Sequence, residues 1–308
     1  MTISRTPVRD AEATPPDVEP TQRRAPGAPR RRNADIGEAH AQPWVYVVLT
    51  GGLILLVGPF LWMLLGSFRP DRELKMVPPT WLPQHWTLDN YRLLYDQLDL
   101  LQVFFNSTLV AVTITAGNLA FCSMLGYAFA KLNFPGKRVM FGLVLATLMV
   151  PGVVTLVPLF VLVSNLGMAN SYAGLIFPFV AGPFGVFLMR QFMMGLPNEL
   201  IDAARVDGAG EFRIFASIIM PLCKPALATL GILTFLTSWN NFLWPLVVAQ
   251  SEDKYTLPVA LAIYAIGENK SNYGLLMAGS VAIIVPVLIV FVALQRHFVR
   301  GIALTGIK

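Results

Sequence analysis

The feature that most constrains this chain is a set of five long stretches free of Asp, Glu, Lys and Arg: Trp44 to Phe68, Phe104 to Ala130, Val139 to Met189, Pro225 to Gln250 and Ser271 to Gln295. About 20 apolar helical residues cross the hydrocarbon core of a bilayer. The third stretch, 51 residues long, holds two such spans, with its polar interruption Ser164 to Tyr172 as the turn. The expected spans are therefore six, near 44–67, 106–130, 139–163, 172–189, 225–249 and 271–295. Composition agrees, with 55% hydrophobic and 13% charged residues, against about a quarter charged in soluble domains. One water-soluble core cannot hide that much apolar surface. The expected fold class is all-α and integral to the membrane, since helices pair their own backbone groups in lipid.

The net charge of +5 does not point to nucleic acid, because its distribution reads as topology. With the amino terminus inside, the tail, the segment from Lys131 to Arg138, the stretch from Arg190 to Lys224 and the end after Gln295 hold 17 Lys and Arg, against 6 on the other side. The positive-inside rule then predicts both termini in the cytoplasm. Residues 1–43 contain Pro and Arg but no apolar core of a signal peptide, so a disordered cytoplasmic tail is expected, with Arg30 to Arg32 as an orientation determinant. Cys122 falls in a span and Cys223 on the inner side, which argues against a structural disulfide.

Several chemistries have no residues to carry them. No Gly-x-x-x-x-Gly-Lys-Ser/Thr phosphate loop exists, so ATP is not expected to bind this chain. His40, His85 and His297 are dispersed without metal-ligand spacing, and no serine nucleophile elbow is present. An ion-coupled secondary transporter is the main alternative from another class. Such carriers place carboxylates, His or Arg at membrane depth, whereas here Arg190 sits only at the inner end of a span.

The segment Phe68 to Val103 is expected outside, with Trp81, Trp86 and Tyr91 suited to an interfacial belt. Span four carries Gly174, Pro178, Gly182, Pro183 and Gly185, which permit close approach and local unwinding. Span five ends in Trp239-Asn240-Asn241-Phe242-Leu243-Trp244-Pro245. Trp239, Asn240, Asn241 and Trp244 suit a solute path, since amides bond hydroxyls and an indole face packs on a sugar's C–H surface. The same residues also suit interhelical hydrogen bonding and belt anchoring.

The cytoplasmic stretch Arg190 to Lys224 is too long for a turn. Pro197 suits a first helical turn, Asn198, Glu199 and Asp202 place acceptors and negative charge at its positive end, and Gly208 offers a left-handed stop. A second short helix runs from Glu211 through Phe212, Phe215 and Ile219 to Pro221. Two short helices joined at a glycine elbow, with small Ala203 and Ala204 beside it, form either a docking surface for another protein or an amphipathic hairpin on the inner lipid surface.

The spacing Asp202-Ala203-Ala204, three residues, Gly208, nine residues, Ile218-Ile219-Met220-Pro221 resembles the cytoplasmic Glu-Ala-Ala loop of ATP-binding-cassette importer permeases. Asp202 stands for Glu and Met220 for Leu. Thr87-Leu88-Asp89-Asn90-Tyr91, Phe134-Pro135-Gly136-Lys137-Arg138, the Trp239 to Pro245 segment and Leu294 to Gly301 are similar to the carbohydrate-importer branch, the maltose-permease-like second subunit. The resemblance covers roughly Trp44 to Lys308. It implies a type I importer permease fold, translocation of a carbohydrate or related polyol or glycerol-phosphate solute, and residence in the bacterial inner membrane. It further implies that a loop over 195–222 couples to a separate ATPase through Asp202, Ala203, Ala204, Asp207, Gly208, Ala209, Glu211, Phe212, Ile218 and Pro221. Arg300 and Gly301 are implied as a carboxyl-terminal ATPase contact. Implied partners are a dimer of ATPase subunits that bind ATP and Mg, a second homologous permease, and an extracytoplasmic solute-binding protein.

Overall fold

The computed structural model describes residues 43–78, 80–266 and 272–305, with side chains of 43–78, 80–265 and 272–293. The expected tail thus lies outside the described residues. The chain divides at Gly52. In the first unit the described part is the opening of helix α1, Pro43–Ser67, an exposed apolar stretch that includes Tyr46, Val47 and Leu49.

The second unit contains the rest of α1 and eleven further helices. Their ranges are α2 Asp89–Gln97, α3 Leu100–Lys131, α4 Lys137–Leu148, α5 Gly152–Asn165, α6 Tyr172–Met194 and α7 Glu199–Val206. After these come α8 Glu211–Leu222, α9 Lys224–Trp239, α10 Leu243–Val248, α11 Leu257–Ile266 and α12 Tyr273–Thr305. Single turns at Asp71–Leu74 and Glu252–Lys254 complete the described secondary structure, and no strand occurs among the described residues. Four helices, α1, α3, α6 and α12, are each long and apolar enough to cross a bilayer. The bent pairs α4–α5 and α8–α9 raise that number to as many as six.

The expectation of one continuous helix over 139–163 is corrected. Its two halves, α4 and α5, meet at 105°. Pro151 lacks a backbone N–H and disfavours helical geometry at the residue before it; it stands extended, at ψ 131°, as the cap of α5. The expected fifth span is likewise divided between α9 and α10 at Asn240 to Phe242. The expected second span begins early, because Asp99 caps α3 by accepting from Gln102 N.

Close crossings hold the bundle together. Gly126 of α3 lies against α6 so tightly that an added Cβ would stand 2.7 Å from Met189 Cβ and 3.0 Å from Arg190 N. In lipid, dispersion at such crossings replaces the drive that water supplies elsewhere. Asn118 begins a π turn, Asn118–Cys122, in the middle of α3. Its amide donates to Phe179 O at 2.6 Å and accepts from Gly182 N at 2.9 Å. Those are backbone groups freed where α6 is interrupted by the 3-10 turn Phe177–Phe179 and resumes at Pro183.

On the side expected to face outward, polar side chains bind the loops. Arg69 and Glu73 are both buried. Glu73 accepts from Gln84 N at 2.9 Å and His85 N at 3.3 Å, while Arg69 Nη1 donates to Thr80 O at 2.7 Å. Burial raises the Glu73 pKa, but these donors and the Arg69 charge outweigh it and leave the carboxyl below its usual range. Asn106 donates to Asp253 O and Tyr255 O, both at 2.9 Å, and so fastens the loop after α10 to α3.

Candidate functional site

The stretch between α6 and α9 folds as the elbow that its residues predict. Glu199 and Asp202 lie in the first turn of α7, where carboxylates oppose the positive end of the helix dipole. Gly208 has φ +79°. Gly208 N donates to Arg205 O at 3.0 Å and Ala209 N to Ala204 O at 2.9 Å, the paired bonds of a Schellman closure that needs a left-handed residue at this position. Gly210 is extended and precedes Glu211, the first residue of α8.

The two faces of the elbow differ. Ile201, Ala204, Ile214, Phe215 and Ile219 are buried in one cluster with Tyr127 and Phe129 of α3, Met189 and Met193 of α6, and Leu230 of α9. Leu200, Val206 and Phe212 stand 43%, 88% and 72% exposed and leave apolar surface open on the other face. Asp202, Ala203, Asp207, Gly208 and Pro221 are also exposed, while Ala209 and Ile218 are half-buried.

Charges close the elbow. Arg205 Nε donates to Glu211 Oε1 at 2.8 Å and Arg205 Nη1 to Asp202 Oδ1 at 3.3 Å. Tyr127 of α3 donates to Glu211 Oε2 at 2.6 Å. The bond from Arg205, aided by that from Tyr127, holds the Glu211 carboxyl below its ordinary range. Lys131, at the end of α3, donates to Leu196 O at 2.6 Å and Asn198 Oδ1 at 2.7 Å. Sequence reasoning missed Tyr127, Arg205 as a charge partner and Lys131. An acid at 211 with a basic residue six positions earlier is a weak signal, and nothing local ties either to position 127.

The Trp–Asn segment falls beside a cavity of about 450 Å3. Asn241 lines it with Ser238, Thr237 and Thr234, together with Asn118 and the interrupted part of α6 near Phe179 and Gly182. Residues 234, 237 and 238 share one face of α9 by spacing, Asn241 follows just past its end, and among the lining residues none is ionisable. Trp239 and Trp244 stand behind the walls, 2% and 3% exposed. Their indole N–H groups donate to Ile283 O at 3.0 Å and Gly174 O at 3.1 Å. Phe104 and Phe235 pack on Trp239, and Phe179 on Trp244, so neither ring offers an open face. Asn240 is exposed, with its amide on Leu236 O at 2.9 Å. Arg300 and Gly301 belong to the last turns of α12, where side chains lie outside the described residues.

Residues 122–304, which include the elbow and the Trp–Asn segment, match the family described as binding-protein-dependent transport system inner membrane component. The chain belongs to this family. Family membership agrees with the relatives, which are sugar and glycerol-phosphate transport permeases. An arabinooligosaccharides transport system permease protein of Halalkalibacterium halodurans is 43% identical over 82% of this chain and 92% of the relative. A diacetylchitobiose uptake system permease protein of Streptomyces coelicolor is 33% identical over 91% of each chain. An sn-glycerol-3-phosphate transport system permease protein of Salmonella typhi is 32% identical over 83% of this chain and 94% of the relative. The crystal structure of a bacterial ABC transporter involved in the import of the acidic polysaccharide alginate contains a chain with TM-score 0.75 and 24% identity, covering 83% of this chain and 95% of that one. The fold is therefore that of an ABC importer permease, and the protein is a multi-pass membrane permease of the carbohydrate-uptake branch.

Proposed function

We propose that this permease forms half of the channel of an ATP-driven bacterial importer, with six spans and both termini in the cytoplasm. It moves a carbohydrate or related polyol or glycerol-phosphate solute inward and is driven by a separate pair of ATPase subunits that bind ATP and Mg. The observation that carries the reading is the two-faced elbow: α7 and α8 keep one face in the bundle cluster and leave Leu200, Val206 and Phe212 outward. An ATPase cleft that accepts Asp202, Ala203, Gly208 and Phe212 covers this surface. Its closure then moves α3, α6 and α9 together through the shared cluster. Arg300 and Gly301 serve as a second contact with the ATPase.

For the solute, Asn241, Ser238, Thr237 and Thr234 supply hydrogen-bonding groups in an otherwise apolar lining, which suits a hydroxyl-rich molecule. Asn240 and Asn241 supply amides, while Trp239 and Trp244 support the walls from behind. A second permease completes the channel, and an extracytoplasmic binding protein delivers solute to loops braced by Glu73 and Asn106. Alternating access follows from differential contacts with the two states. Nucleic acid has no part in it.

Affinity purification of the tagged permease from detergent-extracted inner membranes tests this reading. An ATPase and a second permease in the same complex support it. A chain that purifies alone and transports in liposomes under an ion gradient overturns it in favour of a secondary carrier.

A further inference from the structure

The elbow is fastened to the bundle by a polar chain that apolar packing does not require. Tyr127 is 4% exposed and its ring lies against Phe215, with centroids 5.5 Å apart. Its hydroxyl reaches out of that apolar setting to Glu211 Oε2 at 2.6 Å. The other oxygen of the same carboxylate accepts Arg205 Nε at 2.8 Å, and Arg205 also reaches Asp202 at 3.3 Å. One carboxylate therefore joins α7, α8 and α3. We propose that the Tyr127–Glu211–Arg205 chain is the latch that delivers movement of the elbow to α3, with Tyr127 a positioning residue for energy coupling.

The inference rests on the coupling reading above and deepens it by naming the helix that receives the motion and the bond that carries it. Apolar contacts such as Phe215 on Tyr127 are non-directional and permit sliding. A carboxylate held by donors from two other elements is charge-assisted and directional, so it fixes how α8 sits against α3. Displacement of the elbow must either break the latch or draw α3 with it. Tyr127 lies on the regular helical segment Ser123–Lys131, which begins where the π turn Asn118–Cys122 ends. Single π turns of that kind interrupt the regular i→i−4 ladder and are frequent at functional sites. Asn118, the first residue of the turn, both lines the cavity and binds the interruption in α6. A pull at Tyr127 is therefore conducted along rigid helix to a part of α3 that can yield, beside the solute path.

The test uses the complete transporter in lipid nanodiscs, with nitroxides at Phe121→Cys on α3 and Val153→Cys on α5, two exposed sites. The interspin distance is measured without nucleotide and with ATP plus vanadate, so the solute need not be known. ATP plus vanadate is expected to shift the distance in this parent. Y127F, which removes only a hydroxyl, is expected to reduce the ratio of shifted to unshifted molecules about 10- to 100-fold, the scale of one hydrogen bond to a charged group. Y127F combined with E211A should do no further harm than E211A alone, because either change removes the Tyr127–Glu211 bond. A full shift in Y127F, or losses that add, overturns the latch. Where Y127F lowers the yield of complex, E211A, at an acid half-exposed to solvent, carries the comparison. G208V separates the two levels. If it abolishes the shift and Y127F does not, the latch fails and the coupling reading stands; if the parent itself does not respond to ATP, both fail.

Discussion

Gly208 stands at φ +79° with no atom within 4 Å of where a Cβ would sit, so a substitution there acts through the backbone alone. Left-handed geometry costs an ordinary residue roughly 1–2 kcal/mol, while Asn tolerates it better. Gly208→Val is therefore expected to impair ATP-driven uptake more than Gly208→Asn, with both proteins reaching the membrane in similar amounts. Uptake at wild-type level in Gly208→Val would remove the elbow from the mechanism. The Trp–Asn segment divides by the same reasoning. Asn241→Ala should raise the KM for uptake, whereas Trp239→Phe should chiefly lower the melting temperature, since the indole is buried and bonded to Ile283 O; a reversed pattern would place the indole in the path. This division was not legible in the sequence, because an indole that stacks on sugar and one that seals a wall are the same letter. Glu211 bears on pH. Its folded pKa is lowered from 4.5, so its contribution is present above that value and fades as pH falls through the depressed one. Arg205 and Tyr127 bond it and Asp202 shares Arg205. The melting difference between wild type and E211Q should hold from about pH 8 to about pH 5 and shrink only in stronger acid; a difference already lost near neutrality would contradict this.

At the level of elements, the crossing of α3 and α6 turns on Gly126. An Ala there must displace Met189 Cβ or the Arg190 backbone, and overpacking of this sort costs about 1–3 kcal/mol. Gly126→Ala should therefore lower the thermal stability of the purified complex, and an unchanged melting temperature would show that the crossing is looser than described. The helices themselves were readable from charge-free runs, since lipid tolerates few alternatives. The elbow was readable because Gly208 and Glu211 each carry a local preference, whereas Pro197, expected in a first helical turn, lies before the cap Asn198 of a helix that starts at Glu199. What stayed hidden were interruptions decided by distant partners. Pro151 hints at the bend between α4 and α5, but its 105° angle depends on neighbouring helices. The π turn at Asn118 exists where an amide finds Phe179 O and Gly182 N on another helix. The buried Arg69–Glu73 pair was likewise read only as loop charge, because its burial comes from Thr80, Gln84 and His85 closing over it.

Three regions matter for the whole molecule: loops braced by Glu73 and Asn106, a cavity without ionisable lining flanked by broken helices, and an elbow whose buried face belongs to the bundle. The proposed function turns on the elbow's open face meeting an ATPase in the cytoplasm. Val206 is the natural reporter, being 88% exposed, while Cys122 and Cys223 are fully buried. A Val206→Cys variant therefore offers one exposed thiol among the described residues. The measurement is its reaction in sealed, right-side-out membranes of cells that carry the full transporter, using a cleavable bifunctional maleimide and a membrane-impermeant one. A crosslinked product containing the ATPase subunit is expected, with no labelling by the impermeant reagent from outside. Labelling from the outer side, or a thiol that never reaches an ATPase subunit, would contradict it.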